Sequence, residues 1–426
     1  MIQKLVYLRH VLVVWAVGSF NTIHNMTRRR IRFSIAFCFI AFLSLGVGYG
    51  QSSKKSLSFK KHTLTTDFVS EGVAVGDVNK DGKIDVMAGA YWFEAPDWKK
   101  HEIKPGKSFD PGKEYSDSFL NFGLDVNLDG WVDQVVVGFP GTEGYWYENP
   151  QNKEGHWKKH VFLEEVGIGN ESPNFVDVDG DGRLDILCGD SKAKQIVWLR
   201  APTEKGSTTW EKIAISNTDA PGTDRFSHGI GLGDVNKDDR KDVIIKSGWW
   251  EAPADRTQPN WKFHPADLGE DCSHMHVIDV NKDGLNDVMS ASAHKFGVWW
   301  YEQQKDSNGE ATWRKHEIDS SISQTHSSQL IDLNGDGHPD FITGKRFFAH
   351  NDTNNDPGTY DPAILAWYEF KPGKNPSWQR HEIDNNSGAG LNFIAEDITG
   401  DRLIDFVISN KKGVFVFENQ SKKKKR

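Results

Sequence analysis

Six histidines stand outside the repeating pattern of this 426-residue chain: His228, His274, His276, His294, His326 and His350. Of the sixteen in the sequence, six others (His62, His101, His160, His264, His316 and His381) each follow an aromatic residue by three positions in a recurring segment. Two more lie in the first 50 residues, and His156 and His338 sit in turns. A residue type that returns once per unit serves the unit; those that do not return can serve a site. Three imidazoles with an open position suit zinc or a similar ion. A histidine base beside a metal or an arginine suits removal of a proton next to a carbonyl, and loss of a group from the β carbon would then make the chemistry that of a lyase or dehydratase. The competing reading is that these histidines bind a ligand without turning it over, or fill polar positions of a channel.

A second chemistry recurs seven times. A close variant of DxNxDGxxD begins at Asp77, Asp125, Asp177, Asp234, Asp279, Asp332 and Asp397. Hard oxygen ligands at positions 1, 3, 5 and 9 with glycine at 6 match the needs of calcium in a tight loop. The ligand sets are Asp77, Asn79, Asp81 and Asp85; Asp125, Asn127, Asp129 and Asp133; Asp177, Asp179, Asp181 and Asp185. Four more follow: Asp234, Asn236, Asp238 and Asp242; Asp279, Asn281, Asp283 and Asp287; Asp332, Asn334, Asp336 and Asp340; Asp397, Asp401 and Asp405. The third set is the richest in carboxylates. Asp239 replaces glycine in the fourth loop, and Thr399 and Arg402 take positions 3 and 6 of the seventh, so these two are expected to bind most weakly. Ion-free Asp and Gly turns are the alternative for any one loop.

The elements that must position these groups are short strands. An EF-hand loop lies between helices and ends on a glutamate at position 12, whereas here apolar β runs flank each loop and the last acid is at 9. In the first unit, GVAVGDV at 72–78 precedes the loop and IDVMAG at 84–89 follows it; an aromatic strand, Tyr91 to Glu94, and then WKKHEI at 98–103 complete four strands. The fourth-strand signature appears six times after its loop and once before the first, at Phe59 to His62, while the chain ends after an aromatic third strand at Val414 to Phe417. The expected fold is therefore all-β: a seven-bladed β-propeller of four-stranded blades over 57–419, with the last blade closed by the N-terminal strand 57–65. Third-strand tryptophans such as Trp92, Trp146 and Trp249 are expected to pack between blades.

In this architecture the strand before each ion loop is innermost, so its start opens at the opposite end of the channel. His228 and His326 lie six residues before their loops and His274 five before its own. Matching SH at 227–228 with SH at 273–274 makes blade five one residue shorter and puts His228, His274 and His326 on one rim, with His276 close by, as the candidate transition-metal ligands. Loops between second and third strands emerge on the same rim and bring Lys246, His294, Lys345, Arg346 and His350 as candidate catalytic groups, with His294 or His350 as the base. Glu71 and Glu171 hold the corresponding place in blades one and three.

Ahead of the repeats, arginines 28, 29, 30 and 32 precede an apolar run to about residue 47 and small residues before 51, which reads as a secretory signal peptide within a leader of 1–50, with Met26 as the expected start. The run is shorter than the ~20 residues of a membrane span. Its removal takes six basic and no acidic residues from totals of 51 and 60, leaving a formal charge of −15. The loops alone hold 23 aspartates, so ion binding accounts for most of that acidity, and a nucleic-acid partner is excluded by the lack of a basic patch. Cys188 and Cys272 fall on different blades, so calcium rather than disulfides is expected to staple the fold in an oxidising, calcium-rich compartment: secreted, periplasmic or cell-surface. Residues 420–426 form a basic tail.

GDVNKDG at 76–82 and its six relatives resemble the FG-GAP or VCBS repeats of seven-bladed propellers. More narrowly, SHGIGLGDVN at 227–236, KSGWWEAP at 246–253 and GKRFFAHN at 344–351 resemble the propeller domain of aldos-2-ulose dehydratase and its bacterial relatives. That resemblance implies elimination of water from a keto-sugar around His228, His326 and Lys345. The chain departs from the fungal enzyme by having no segment after the propeller for its cupin domains. The expectations are structural calcium at up to seven loops, zinc or a similar ion at the histidines, and a carbohydrate or other small polar ligand at the channel mouth. A non-catalytic propeller binding glycan or protein is the rival.

Overall fold

The computed structural model describes residues 57–162, 164, 166–351 and 356–421; the expected leader and the terminal run Lys422 to Arg426 lie outside them. These residues form seven antiparallel sheets of four strands each, with no helix among them. Six sheets are consecutive in sequence. The seventh joins Phe393–Glu396, Asp405–Asn410 and Gly413–Asn419 to Phe59–Thr65, with Phe59 opposite Asn419 and His62 opposite Val416. The seven-bladed propeller expected from the repeat count, closed by its N-terminal strand, is the observed fold.

Burial explains the order of strands within a blade. Second strands such as Asp185–Asp190 and Asp340–Gly344 are buried along their whole length, and third strands carry the large apolar residues that fill the space between blades, including Trp146 and Trp198 at 0 % exposure. First strands crowd around the axis. At Gly231 an added Cβ would lie 2.0 Å from the carbonyl oxygen of Met275 in the next blade, so only glycine admits this approach.

The fourth-strand histidines stack on third-strand tryptophans: His101 on Trp92 at 4.2 Å, His160 on Trp146 at 4.3 Å and His264 on Trp249 at 4.1 Å. Each also pairs through Nε2 with a glutamate that ends the third strand, as His264 does with Glu251 at 2.8 Å. Blade three, where Ile213 faces Trp198, lacks the histidine. These imidazoles are joints between strands.

Each ion loop also has an internal frame. The position-9 aspartate opens the second strand and accepts two backbone N–H groups, one from the residue after position 1 and one from the end of the third strand. Asp340, for example, accepts from Leu333 at 3.1 Å and Phe370 at 3.0 Å, and Asp405 from Ile398 at 3.0 Å and Asn419 at 2.7 Å. Position 6 has positive φ in all seven loops, which glycine takes without strain; Asp239 at 65° and Arg402 at 70° hold it against a side-chain clash.

Candidate functional site

The residues six positions before the seven ion loops are Glu71, Phe119, Glu171, His228, Ser273, His326 and Leu391, one from each blade. Strand pairing fixes this register, because Gly233 faces Asp242, Ile278 faces Asp287 and Ile331 faces Asp340 at the loop end of blades four, five and six alike. Blade five is therefore not one residue shorter. Counting from the ion loop places Ser273 where blades four and six have His228 and His326, and one position along a strand reverses the side to which a side chain points.

His274 and His276 consequently do not join the rim. His274 Nδ1 accepts the Ser328 N–H at 3.4 Å, and His276 Nε2 lies 2.9 Å from Ser328 Oγ. Both tie blade five to blade six. Burial lowers them to about 4 and about 3 respectively. The expected trio of His228, His274 and His326 is therefore not brought together; the ring nitrogens of His228, His294 and His326 instead approach within 4.8 Å of one another.

His294 arrives from the loop between the second and third strands of blade five. Its ring centroid is 4.5 Å from His228, 5.6 Å from His326 and 4.8 Å from His350, on which it stacks. His326 has no exposed surface; its Nδ1–H donates to Gln324 O at 3.2 Å, which leaves Nε2 as a buried lone pair with no partner. His228 is buried with neither ring nitrogen hydrogen-bonded, and Glu171 Oε2 is 3.7 Å from its Nε2. Burial holds His228 at about 4 and His326 well below the usual histidine range, so both imidazoles are neutral at pH 7, the form that ligates. Buried unpaired donor atoms of His228 and His326, with the part-exposed His294 converging on them from a third segment, fit a divalent ion with an open position. Glu171, His326 and His350 form a second such group, and His294, His350 and Asp356 a third.

Arg346 lies fully buried beside the cluster. Its Nη1 donates to Glu171 at 2.7 Å, and its Nε and Nη2 to Glu71 at 3.3 and 3.2 Å, while the guanidinium sits 5.6 Å from the Phe119 ring. Three blades are thus joined across the channel by a Glu–Arg–Glu triad. Lys345 is turned to its own loop, donating to Gly358 O and to Asp361 O at 2.9 Å, and Lys246 pairs with Asp271 at 2.5 Å. These two lysines shape the walls.

Two site residues went unread in the sequence. Asp356 Oδ2 hydrogen-bonds His350 Nδ1 and stands 3.6 Å from His294 Nδ1, so one carboxylate addresses both stacked rings. It lies in a proline- and glycine-containing turn that reads as a loop tip. Lys411 follows the second strand of blade seven, as Lys246 and Lys345 follow theirs; that shared position was the available signal. Its Nζ donates to Phe348 O at 3.0 Å and lies 4.7 Å from the Tyr115 ring, and burial lowers it to about 8.

At the opposite end, Asp177, Asp179 and Asp185 bring three carboxylates within 4.8 Å. Desolvation raises Asp133 to about 8 and Asp287 and Asp340 to about 7, with the acids at positions 1 and 5 adding to the rise. Crowded carboxylates of this kind fit a divalent cation.

The FG-GAP-like repeat family matches residues 125–188, 177–245 and 279–343. The chain is 28% identical over 205 residues to integrin alpha pat-2 of Caenorhabditis briggsae, covering 38% of this chain and 16% of that protein. It is 30% identical over 213 residues to integrin alpha pat-2 of Caenorhabditis elegans, covering 38% and 17%. It thus spans about a sixth of the length of the curated relatives it matches. Among solved structures it is similar to an Agrocybe aegerita lectin that recognises non-reducing terminal N-acetylglucosamine (TM-score 0.44, 17% identity, 77% of this chain and 81% of that one). It is also similar to the exotype rhamnogalacturonan lyase YesX (TM-score 0.43, 10% identity, 84% and 72%). The likeness to these structures lies in the fold.

Proposed function

We propose that this seven-bladed propeller with FG-GAP-like repeats is a secreted, calcium-stabilised, carbohydrate-active lyase or dehydratase working at the histidine-lined mouth. The observation that carries the reading is the convergence of His294 on His228 and His326, whose buried ring nitrogens lack partners, beside the Asp356-held His350. A divalent ion held by the three histidines would supply Lewis acidity to a sugar carbonyl or carboxylate. His350 takes the proton on the adjoining carbon. Burial, with Arg346 nearby, lowers its pKa, so at pH 7 it is a neutral base. The carbon–oxygen bond at the β position breaks as the new double bond forms, and the imidazolium returns its proton to the departing oxygen. Protons and electrons balance without an oxidant. Arg346 is not the electrophile here, because Glu71 and Glu171 already take its donors. Keto-sugar and uronate substrates both meet these demands, the former in keeping with the sequence resemblance to aldos-2-ulose dehydratase.

The test is the ultraviolet absorbance of conjugated products from keto-sugars and uronate polymers, with metal content measured after dialysis against a weak chelator. The wild type should release an unsaturated product, and His350→Gln should lower kcat by roughly 10²- to 10⁴-fold at unchanged melting temperature. Calcium as the sole bound metal, together with no turnover, would favour a binding propeller for glycan or protein.

A further inference from the structure

We infer that the mouth face receives an acidic sugar polymer, a chain of uronate residues, along a track of exposed aromatic rings and unpaired cations. The inference rests on the proposed sugar elimination and names its substrate class. Among the described residues the strongly exposed aromatic side chains are Phe226 at 44%, Phe296 at 38% and Tyr360 at 73%. All three belong to segments that deliver site residues: Phe226 is two positions before His228, Phe296 two after His294, and Tyr360 four after Asp356. On the ion-loop face no described aromatic is as exposed; Trp131 there is partly buried beneath Lys80 Nζ at 4.4 Å. Such rings are costly to leave in water, and flat apolar surface beside a polar pocket is what the faces of sugar rings pack against.

The rings form one run at the mouth. Phe226 lies 5.6 Å from Phe139, which lies 5.7 Å from Tyr115. Lys411 Nζ, 4.7 Å from Tyr115 and 5.7 Å from Phe348, joins these to Tyr360, which lies 6.0 Å from Phe348, two residues before His350 in sequence. Since Phe226 and Tyr360 are joined only through Phe139, Tyr115, Lys411 and Phe348, a ligand touching both end rings spans that run and exceeds one sugar. A free monosaccharide would leave one side of the track bare.

Charge selects among polymers. Lys194, Lys246 and Lys295 on this face are neutralised by Asp224, Asp271 and Glu270 at 2.7, 2.5 and 2.9 Å. Arg225 and Lys412 have no carboxylate partner within 4.0 Å among the described residues, and of the Arg225 donors Nε is taken by Pro140 O at 2.7 Å. Instead the Arg225 guanidinium lies 4.7 Å from the Phe226 ring and 5.0 Å from Phe139, and Lys412 Nζ lies 4.6 Å from Phe347. A cation held over a ring keeps its remaining donors for an incoming carboxylate. A uronate unit also satisfies the chemistry: its carboxylate acidifies the neighbouring C–H, His350 takes that proton, and the C–O bond to the glycosidic oxygen at the β carbon breaks. The double bond forms between those two carbons, and the oxygen leaves with the proton on the shortened chain.

The experiment uses the full chain carrying His350→Gln, so that bound chains stay intact, and isothermal titration with three probes: a uronate hexamer, the same hexamer with carboxylates reduced to alcohols, and a monomeric keto-sugar. The uronate hexamer should bind tightest. Adding Phe226→Ala and Tyr360→Ala together should weaken it roughly 10- to 100-fold while leaving the monomer unchanged. Arg225→Gln should weaken the uronate hexamer about 3- to 5-fold at low salt and the reduced hexamer not at all. Equal affinity for the two hexamers, or indifference to the paired aromatic change, would overturn the inference. In the His350-containing chain, hexamer binding through the track with no unsaturated product would overturn the elimination and leave the track standing. Product from the free keto-sugar with no hexamer binding would do the reverse.

Discussion

The two ends of the channel are built from the same seven strands and could hardly differ more. At the ion-loop end every blade repeats one device: an aspartate accepting two backbone N–H groups and a left-handed residue at position 6. At the other end the seven equivalent positions carry Glu71, Phe119, Glu171, His228, Ser273, His326 and Leu391, no blade fully repeating its neighbours. Repetition marks what each blade needs in order to fold. Departure from it marks what only the assembled ring can do, and the histidine cluster draws on blades four, five and six at once.

The contrast can be broken most severely at Arg346. Arg346→Met leaves Glu71 and Glu171 buried and close together with no counter-charge, and should cost about 3–5 kcal/mol in urea unfolding. At this triad stability and the site are inseparable. On the repeated end, Asp340→Ala leaves the Leu333 and Phe370 N–H groups unsatisfied and should destabilise by about 3 kcal/mol. Turnover per folded molecule should not change. A mutant that kept its stability but lost activity would merge the two ends functionally and defeat the comparison.

A pH series separates His276 from the site. Its pKa is lower in the folded protein, about 3, than the ordinary histidine value, so the unfolded state binds the proton first as pH falls. Its contribution is full above about 6.5 and is lost as pH drops toward the folded value. The wild type should lose about 2 kcal/mol more than His276→Gln between pH 6.5 and 4, allowing for the partial exposure of His276. Equal losses would remove His276 as the titrating joint. The smallest effect is a gain: Arg402→Gly relieves a left-handed arginine and should stabilise by about 1 kcal/mol in the same urea assay.

The fold was legible because it is periodic. Seven ion loops, six fourth strands after them and one before them leave a single arrangement that pairs every strand, and Phe59 does face Asn419. The site was harder to read for the same reason: it lies where the period fails. Counting from the loops places His228 and His326, whereas the two-residue Ser-His likeness that sets His274 beside them conflicts with that count. Strand register is set by backbone pairing and not by side-chain similarity, so the count was the better guide. Asp356 could not be found by either route, because it sits on a long loop whose path depends on Lys345 holding Gly358 and Asp361. Lys411 is within reach of sequence reading, since it directly follows the second strand of the last blade as Lys246 and Lys345 follow theirs.

The claim that one end is scaffold and the other a metal-dependent site is tested most directly by titrating Co²⁺ into chelator-treated protein in excess calcium and following its visible absorption. The account predicts one tight ion per chain in the wild type and in His274→Ala, and affinity reduced by roughly 100-fold or more in His228→Ala, His294→Ala and His326→Ala. Cobalt binding lost in His274→Ala but kept in His294→Ala, or no tight ion in the wild type, would contradict it.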